Sequence, residues 1–158
     1  PLQEGRRPDS LTAVSLYRGV SLFVPVADSE AVAYSFWKVI SPLPKPESEY
    51  ESIHLDPVDI QSIWQSGDYL NMVLQVMVKD KEHELSFIDN GITSNANGTQ
   101  TLHLTLFHHR KDDVEGFMQK YHLSVPLWHY EGKLNKGDTI VFELYTYKEG
   151  MTQRTFTY

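Results

Sequence analysis

The fold is decided by the stretch SGDYLNMVLQVMVKDKEHELSFID, residues 66–89. In its first half, apolar side chains alternate with mixed ones, at Leu70, Met72, Leu74, Val76 and Val78. A period of two is typical of a β-strand with one face against a core. The polar residues 79–82 interrupt this pattern, and His83, Leu85 and Phe87 then resume it. We therefore predict a β-hairpin around which the rest of the chain packs.

Composition limits the classes of function that the chain can have. It has 158 residues, a formal net charge of −7 and no cysteine. This length allows one core, or a core with a small satellite, and the acidic balance repels nucleic-acid phosphates and anionic lipid. No apolar run approaches the roughly 20 residues of a membrane span. We expect no nucleic-acid partner, no disulfide and no cysteine nucleophile, while the redox compartment stays open.

The first 48 residues predict a small β-subdomain and a linker. Residues 1–10 are polar and indicate a loop. The alternation from Val20 to Val26 predicts an edge strand, because Pro25 has no amide hydrogen to donate, and residues 31–40 predict a more buried partner strand across a turn. Residues 41–52 contain three prolines and three glutamates, which is typical of an extended linker. We place the domain boundary between residues 48 and 49.

Residues 49–158 predict a seven-stranded antiparallel β-sandwich, and the chain as a whole is all-β. The strands are expected near residues 58–65, 68–79, 82–88, 101–108, 121–129, 138–148 and 151–158, a spacing typical of a sandwich. Turn-forming residues in 89–100 predict a long exposed loop. One helical turn, capped by Asp112 or Asp113, is predicted from the spacing of Val114, Phe117, Met118 and Tyr121.

Histidines and a carboxylate suggest one alternative site. The hypothesis is a metal-dependent hydrolase built around four residues, His103, His108, His109 and Asp113. Adjacent side chains on a strand point to opposite faces, so His108 and His109 cannot easily share one ion, and His103 lies about 20 Å from His109 along a strand. A GxSxG serine elbow, phosphate loops and dinucleotide fingerprints are missing. We therefore predict no catalytic residue, no metal ligand and no cofactor.

Aromatic residues make up 12% of the chain and suggest a binding surface. Tyr145 and Tyr147 are expected on the outer face of the sixth predicted strand, and Trp128 and Tyr130 on one face near the end of the fifth. Aromatic side chains are enriched in interfaces. These four residues are the candidate binding surface, and packing against the N-terminal hairpin or long loops is the alternative explanation.

Three segments occur in one order along the chain: SGDYLNMVLQVMV at 66–78, LHLTLFHHRKDD at 102–113 and NKGDTIVFELYTYKEG at 135–150. Together they resemble the NigD-like family of Gram-negative envelope lipoproteins, over about residues 56–150. The resemblance implies an OB-like N-terminal β-domain, an immunoglobulin-like sandwich and a lipid anchor at the outer membrane, whose attachment cysteine is not in this sequence. It also implies a connection with bacteriocin immunity and brings no established catalytic residue.

The leading functional hypothesis is a non-enzymatic cell-envelope protein that binds another protein or a glycan, with bacteriocin immunity as its role. Its binding surface would be the aromatic-bearing sheet face or the segment 89–100. Two alternatives stay open, the metal-dependent hydrolase described above and a structural spacer at the cell surface. The oligomeric state is not determined by these patterns.

Overall fold

The alternating patterns produce an almost entirely β structure in the computed structural model, which describes residues 18–158. In chain order the strands are β1 (Gly19–Ala27), β2 (Glu30–Lys38), β3 (Lys45–Pro46), β4 (Asp59–Ser66), β5 (Tyr69–Val78), β6 (Glu84–Ser94), β7 (Gln100–His109), β8 (Phe117–Pro126), β9 (Thr139–Thr146) and β10 (Gly150–Thr157). Short 3₁₀ helices lie at Glu47–Glu49 and Leu127–Tyr130. Between residues 18 and 158, none of the helices has the length and apolar character needed to cross a bilayer.

Two sheets face each other across one core. The small sheet has the strand order β4-β5-β8, and the large sheet has the order β10-β9-β7-β6-β3. Their inward side chains form the core cluster, in which the largest fully buried members are Tyr130, Phe87, Phe142, Leu70, Met72 and Leu74. Each such side chain contributes about 1.5–3 kcal/mol through burial. The seven predicted strands correspond in order to β4–β10, so the predicted all-β sandwich is confirmed.

Residues 66–89 form the two predicted strands but not the predicted hairpin. β5 pairs with β4 and β8 in the small sheet, whereas β6 pairs with β7 and β3 in the large sheet. The polar residues 79–83 therefore cross from one sheet to the other, and the apolar faces of β5 and β6 enter the core from opposite sides. The hairpin prediction was wrong because alternation determines the apolar face of a strand but not its hydrogen-bonded neighbour.

The sandwich was predicted to be antiparallel, but it also contains parallel pairs. β7 pairs with β9 in parallel, from Thr101 opposite Thr139 to Thr105 opposite Glu143, and β3 pairs with β6 in parallel. Between β7 and β9 the chain passes through β8, which belongs to the small sheet. Such a crossover is what allows two neighbouring strands to run in the same direction.

The N-terminal ribbon is the predicted antiparallel hairpin, with Ala27 of β1 opposite Glu30 of β2 at its turn. β2 is the more buried of the two strands, as predicted, because every residue of β1 is exposed whereas four residues of β2 are partly buried. Its large aromatic side chains are nevertheless exposed, Tyr34 to 69% and Trp37 to 41%. The described part of the predicted N-terminal subdomain is this two-stranded ribbon. The loop predicted at residues 1–10 lies outside the described residues.

The proline-rich segment after β2 runs along the sandwich. The Ile40 amide donates to the His122 carbonyl at 2.8 Å, and the Ser124 amide donates to the Ile40 carbonyl at 2.9 Å, so Ile40 adds to the edge of β8. Further on, β3 adds to the edge of the large sheet. The extended conformation expected from the prolines is thus held by contacts with both sheets, while the domain boundary stays a prediction.

The helical turn predicted after β7 is absent, and β8 begins there instead. Phe117 to Tyr121 pair with β5 along the edge of the small sheet. Before them, Lys111 and Asp112 have left-handed φ angles of 55° and 56°, which turn the chain into β8. The helical prediction was wrong because pairing with a neighbouring strand outweighs the weak local preference of a short segment.

The long loop predicted at residues 89–100 is mostly strand. β6 continues to Ser94 and β7 starts at Gln100, which leaves a short turn at residues 95–99. Its hydrogen bonds include the Asn95 amide to the Thr99 carbonyl at 2.8 Å. Asn90 and Gly91 interrupt the register between β6 and β7 as a bulge. Turn-forming residue types therefore marked a bulge and a hairpin turn rather than one continuous loop.

Candidate functional site

A shallow open cleft of about 520 Å³ lies on the outer face of the large sheet. One wall comes from residues 47–55, which pass over this face between β3 and β4, and the floor comes from the strands themselves. We call it the outer-face cleft. Its polar lining residues are Glu47, Asn90, Thr93, His103, Thr105 and Glu143. Its volume falls within the usual range of small-ligand sites.

A ladder of polar side chains crosses the floor of the outer-face cleft. The side-chain amide of Asn90 donates to the Thr105 hydroxyl at 2.7 Å, and that hydroxyl donates to the Glu143 carboxylate at 3.4 Å. Asn90 belongs to the bulge in β6, and bulges commonly redirect a side chain. Thr105 and Glu143 face outward at the same level because β7 and β9 are paired in register there. The parallel pairing that the sequence did not reveal therefore builds the ladder.

The outer-face cleft combines negative charge with an apolar wall. Its charged lining residues are Glu47 and Glu143, and within the described chain neither Lys nor Arg lines it. Ile53, Leu55 and Met151 supply apolar contact area. The cleft therefore offers hydrogen-bond acceptors and negative charge beside an apolar surface, which suits a ligand that has donors or a positive charge on an aliphatic stem.

Aromatic stacking holds residues 47–55, called the wall segment, onto the large sheet. The Tyr50 ring stacks on Phe107 at 4.6 Å between centroids, and its hydroxyl donates to the Phe87 carbonyl at 3.0 Å. His54 stacks on His109 at 3.6 Å with an interplanar angle of 5°. Burial raises the pKa of Tyr50, which keeps its hydroxyl a donor. These contacts fix the wall beside the open part of the sheet.

The four predicted aromatic residues do not form one exposed surface. Tyr130 is 1% exposed, and its hydroxyl donates to the Asp89 carboxylate at 3.0 Å, so it belongs to the core. Burial raises the pKa of this hydroxyl strongly. Tyr147 is half-buried, and its hydroxyl accepts the Met77 amide of the small sheet at 3.1 Å. Packing within the sandwich thus accounts for these two tyrosines.

The other two predicted aromatic residues are exposed. Trp128, in the 3₁₀ helix after β8, is 46% exposed, and Tyr145 is 42% exposed. Tyr145 lies on the outer face of β9 and is directly opposite Met151 of β10, which lines the outer-face cleft. Tyr145 therefore borders the cleft. A binding role for Trp128 and Tyr145 stays a prediction.

The structure separates the residues of the hydrolase hypothesis. His103 lies in the outer-face cleft and shares a hydrogen bond with Thr93 at 2.9 Å. His109 stacks on His54 outside the large sheet, whereas His108 points inward and is 1% exposed. Among residues 18–158, no group of three or more histidine and carboxylate side chains is arranged to hold a metal ion. That alternative therefore lacks the convergent site on which it was based.

His108 and Asp113 join a third residue, His83, in a buried chain of hydrogen bonds. Nδ1 of His83 and Nε2 of His108 are 2.9 Å apart, and Nε2 of His83 is 3.3 Å from Oδ2 of Asp113. The side chains of His83 and Asp113 are 1% and 2% exposed. This chain of hydrogen bonds is closed to solvent, so it offers no place for a substrate to bind.

The partnership of His83 with His108 was not predicted from the sequence, although a signal was present. His83 precedes Leu85 and Phe87 on the core-facing side of β6, and His108 follows Leu106 on the core-facing side of β7. Alternation alone therefore places both imidazoles on the inner face. Their contact was unpredictable without the pairing of β6 with β7, which sets Leu85 opposite His108.

The remaining partners of the buried chain define its electrostatics. Asp113 accepts the Lys79 amide at 2.7 Å and the Asp80 amide at 3.2 Å, so it caps the end of β5 rather than a helix. These backbone hydrogen bonds, that of Lys79 foremost, lower the pKa of Asp113 to about 2. Burial lowers the pKa of His108, whose Nδ1 lies 2.9 Å from the Asp56 carbonyl.

Comparison with known structures shows the same fold in other proteins. The chain is similar to a NigD-like immunity protein from Bacteroides caccae, with 30% sequence identity and a TM-score of 0.74, over 89% of this chain and 75% of that one. It is similar in fold to a protein from Parabacteroides distasonis described as toxin-related, with 20% identity, a TM-score of 0.64, and coverage of 90% and 72%. A Bacteroides vulgatus protein of unknown function shows 18% identity, a TM-score of 0.67, and coverage of 90% and 71%.

A family assignment follows from sequence as well as from fold. No curated protein sequence matches the chain. Residues 41–158 match the sequence profile of the NigD-like C-terminal beta sandwich domain, which begins at the proline-rich segment and includes both sheets. The chain therefore belongs to the NigD-like family.

Proposed function

We propose that this chain is a non-catalytic binding protein of the cell envelope that protects its host against a bacteriocin, and that the outer-face cleft binds a segment of that bacteriocin. One observation carries the proposal: the cleft is a place where several polar side chains converge on open space. The buried His83–His108–Asp113 chain has the polar groups but no access. The similar Bacteroides caccae protein is described as an immunity protein, which supports the role.

The chemistry of the outer-face cleft favours a basic polypeptide segment. Glu47 and Glu143 give it negative charge, and the whole chain has a net charge of −7, which attracts cationic partners over a longer range. A Lys or Arg side chain can place its head at Glu143 and its aliphatic stem along Ile53 and Leu55. Tyr145 at the border of the cleft adds the aromatic contact that interfaces favour.

A protection assay tests both parts of the proposal. The chain is exported to the periplasm of a bacteriocin-sensitive Gram-negative host, which is then challenged with bacteriocin preparations from related producing strains. We expect survival to rise with the wild-type chain. We expect Glu47→Gln combined with Glu143→Gln to abolish the protection, because these changes remove the negative charge at nearly constant volume. Glu30→Gln is the matched control, since Glu30 is an exposed glutamate of β2 outside the cleft.

The outcomes of this assay separate the role from the site. Failure of the wild-type chain to protect against any preparation would contradict the immunity role. Full protection by the double variant would keep the role but reject the outer-face cleft. Equal protection by every surface variant, including Tyr145→Ala and Trp128→Ala, would favour the structural spacer. Urea unfolding of each variant shows whether a loss of protection is merely a loss of folding.

The location of the protein is a separate part of the proposal. The family resemblance implies a lipoprotein of the outer membrane, in which this chain would be anchored by a lipid and would face the periplasm or the cell surface. Fractionation of the native host, followed by immunodetection, should place the protein in the outer-membrane fraction, and a labelled fatty acid should be incorporated into it. Recovery in the soluble cytoplasmic fraction, without label, would reject this location.

A further inference from the structure

We propose that His83 and His108 together form a buried proton-binding site, which holds one proton more than two neutral imidazoles carry. The result is an internal His83 imidazolium paired with the Asp113 carboxylate at one end of the sandwich. The site involves three parts of the chain: the crossing between the sheets, the end of β7 and the connection from β7 to β8. Its ligand is the proton itself.

The contacts at the two outer ends of the buried chain determine which nitrogen of each ring carries hydrogen. A carboxylate only accepts hydrogen bonds, so Nε2 of His83 must carry the hydrogen of its 3.3 Å contact with Asp113. A carbonyl also only accepts, so Nδ1 of His108 must carry the hydrogen of its 2.9 Å contact with Asp56. A neutral imidazole has one N–H, and both rings have now used theirs.

The middle contact then requires one more proton. Nδ1 of His83 and Nε2 of His108 are 2.9 Å apart, a normal hydrogen-bond distance. In two neutral rings with the tautomers just assigned, both nitrogens would be acceptors, and two buried lone pairs would face each other. One additional proton turns this repulsion into a hydrogen bond and satisfies every nitrogen of the pair.

The surrounding groups place that proton on His83. Asp113 contacts His83 directly, whereas the group facing the far side of His108 is the uncharged Asp56 carbonyl. The Asp56 carboxylate is paired with Arg110, whose side-chain Nε lies 3.5 Å away. Burial, with His83 as a further cause, lowers the pKa of His108 and keeps that ring neutral. The Lys79 and Asp80 amides, which face Asp113 from the end of β5, hold it ionised.

Proton counting gives the site a characteristic pH dependence. Histidines in the unfolded chain have a pKa of ~6.5. Above that pH the folded pair holds one proton more than the unfolded chain, so its contribution to stability declines as the pH rises, until the folded pair itself loses the proton. Below that pH the unfolded chain holds one proton more, so the contribution declines as the pH falls. The contribution of this site to the free energy of unfolding is therefore largest at pH ~6.5.

The size of each slope follows from a difference of one proton. The unfolding equilibrium constant should change about tenfold per pH unit on either side of the maximum, or about 1.4 kcal/mol. A fully neutral pair predicts no slope from these residues above pH ~7, and a doubled slope below pH ~6. The two arrangements therefore differ most clearly on the alkaline side.

Urea unfolding between pH 5 and 9 measures these slopes, with wild type compared to His83→Gln and to His129→Gln. His129 is the control because it lies in the 3₁₀ helix after β8, outside the buried chain. We expect the alkaline slope to be present in wild type and in His129→Gln, and absent in His83→Gln. Equal alkaline slopes in wild type and His83→Gln would overturn the proposal.

Nitrogen NMR of the wild-type protein provides a test that needs no variant. With ¹⁵N-labelled histidine at pH 7.5, long-range ¹H–¹⁵N correlations distinguish a doubly protonated ring from each neutral tautomer. We expect one buried imidazole with both nitrogens protonated and another with hydrogen on Nδ1 alone. Two buried rings with a single hydrogen each would overturn the proposal, even if His83→Gln proved unable to fold.

Discussion

The two parts of β7 differ in what covers their outward side chains. At its end, Phe107 and His109 lie under Tyr50 and His54, which stack on them. In its middle, His103 and Thr105 line the outer-face cleft, in which Thr105 is 6% exposed. Both parts alternate in the same way, and both have apolar neighbours on the inner face. Alternation thus produced one regular strand whose outer face carries stacked rings at one end and lines the outer-face cleft in the middle.

Under the proposed function, the two parts of β7 have different roles, stability at the covered end and binding in the middle. At the covered end, the wall segment packs on the large sheet. His108, on the inner face of the same end, begins the buried chain of hydrogen bonds that runs through His83 to Asp113. The middle has polar side chains that bond to one another and line the outer-face cleft. We therefore expect substitutions at the covered end to change the free energy of unfolding, and those in the middle to change binding.

The largest effect is expected from Phe107→Ala. Phe107 is 3% exposed and stacks on Tyr50, so truncation leaves a cavity beneath the wall segment and should lower the free energy of unfolding by about 3–5 kcal/mol. Urea unfolding checks this value. Phe107→Leu, which retains most of the volume, should cost less than about 1.5 kcal/mol. A loss below about 1 kcal/mol for Phe107→Ala would show that the covered end is not packed.

Acid should reveal the contribution of Asp113 to the covered end. Its pKa is lowered from 3.8 to about 2, so its stabilising effect is complete above the unfolded value and is lost as the pH falls through the folded value. Asp113→Asn should therefore be less stable than wild type at pH 6, and this difference should shrink between pH 4 and 2. Thermal unfolding at a series of pH values measures it. A difference that does not vary with pH would contradict the assignment.

A smaller loss is expected from Tyr50→Phe. This change keeps the ring that stacks on Phe107 and removes only the hydroxyl that donates to the Phe87 carbonyl. The free energy of unfolding should fall by about 1 kcal/mol. Tyr34→Phe is the control, because Tyr34 is 69% exposed on the N-terminal ribbon, and it should have no measurable effect. Identical stability of both variants would mean that the wall segment is held by stacking alone.

The smallest effect on stability is expected in the middle of β7. His103→Gln and Asn90→Ala alter side chains that line the outer-face cleft. His103→Gln should change the free energy of unfolding by no more than about 0.5 kcal/mol, and Asn90→Ala, which removes the hydrogen bond to Thr105, should cost about 0.5–1 kcal/mol. In the protection assay, however, the same variants should weaken protection. A large loss of stability would remove the contrast between the two parts of the strand.

Much of the architecture was predictable because burial repeats with the period of the strand. The apolar alternation of residues 70–78 and the turn at residues 27–30 led to correct strands in the structure. Pairing was not predictable in the same way: the polar residues 79–82 are compatible with a hairpin turn and with a crossing between sheets. Residues 117–121 have apolar side chains at helical spacing, and pairing with β5 made them a strand instead.

The candidate site was less predictable than the fold. Tyr145 was correctly predicted as an outward residue, but Tyr130 belongs to the core. The outer-face cleft depends on residues 47–55 passing over the large sheet, and the ladder of Asn90, Thr105 and Glu143 depends on a bulge and a parallel pair. No local pattern encodes contacts between residues so far apart in the chain.

The sequence by itself determined that this protein is built of strands, which face of most strands is apolar, and its likeness to the NigD-like family, because these properties repeat locally or follow residue order. Only the tertiary structure decided which strands are neighbours, that Tyr130 is buried, and that His83 meets His108 and Asp113. The physical reason is that a side chain's environment is supplied by partners from distant segments. Hydrogen bonds between strands place those partners together, and alternation alone does not specify them.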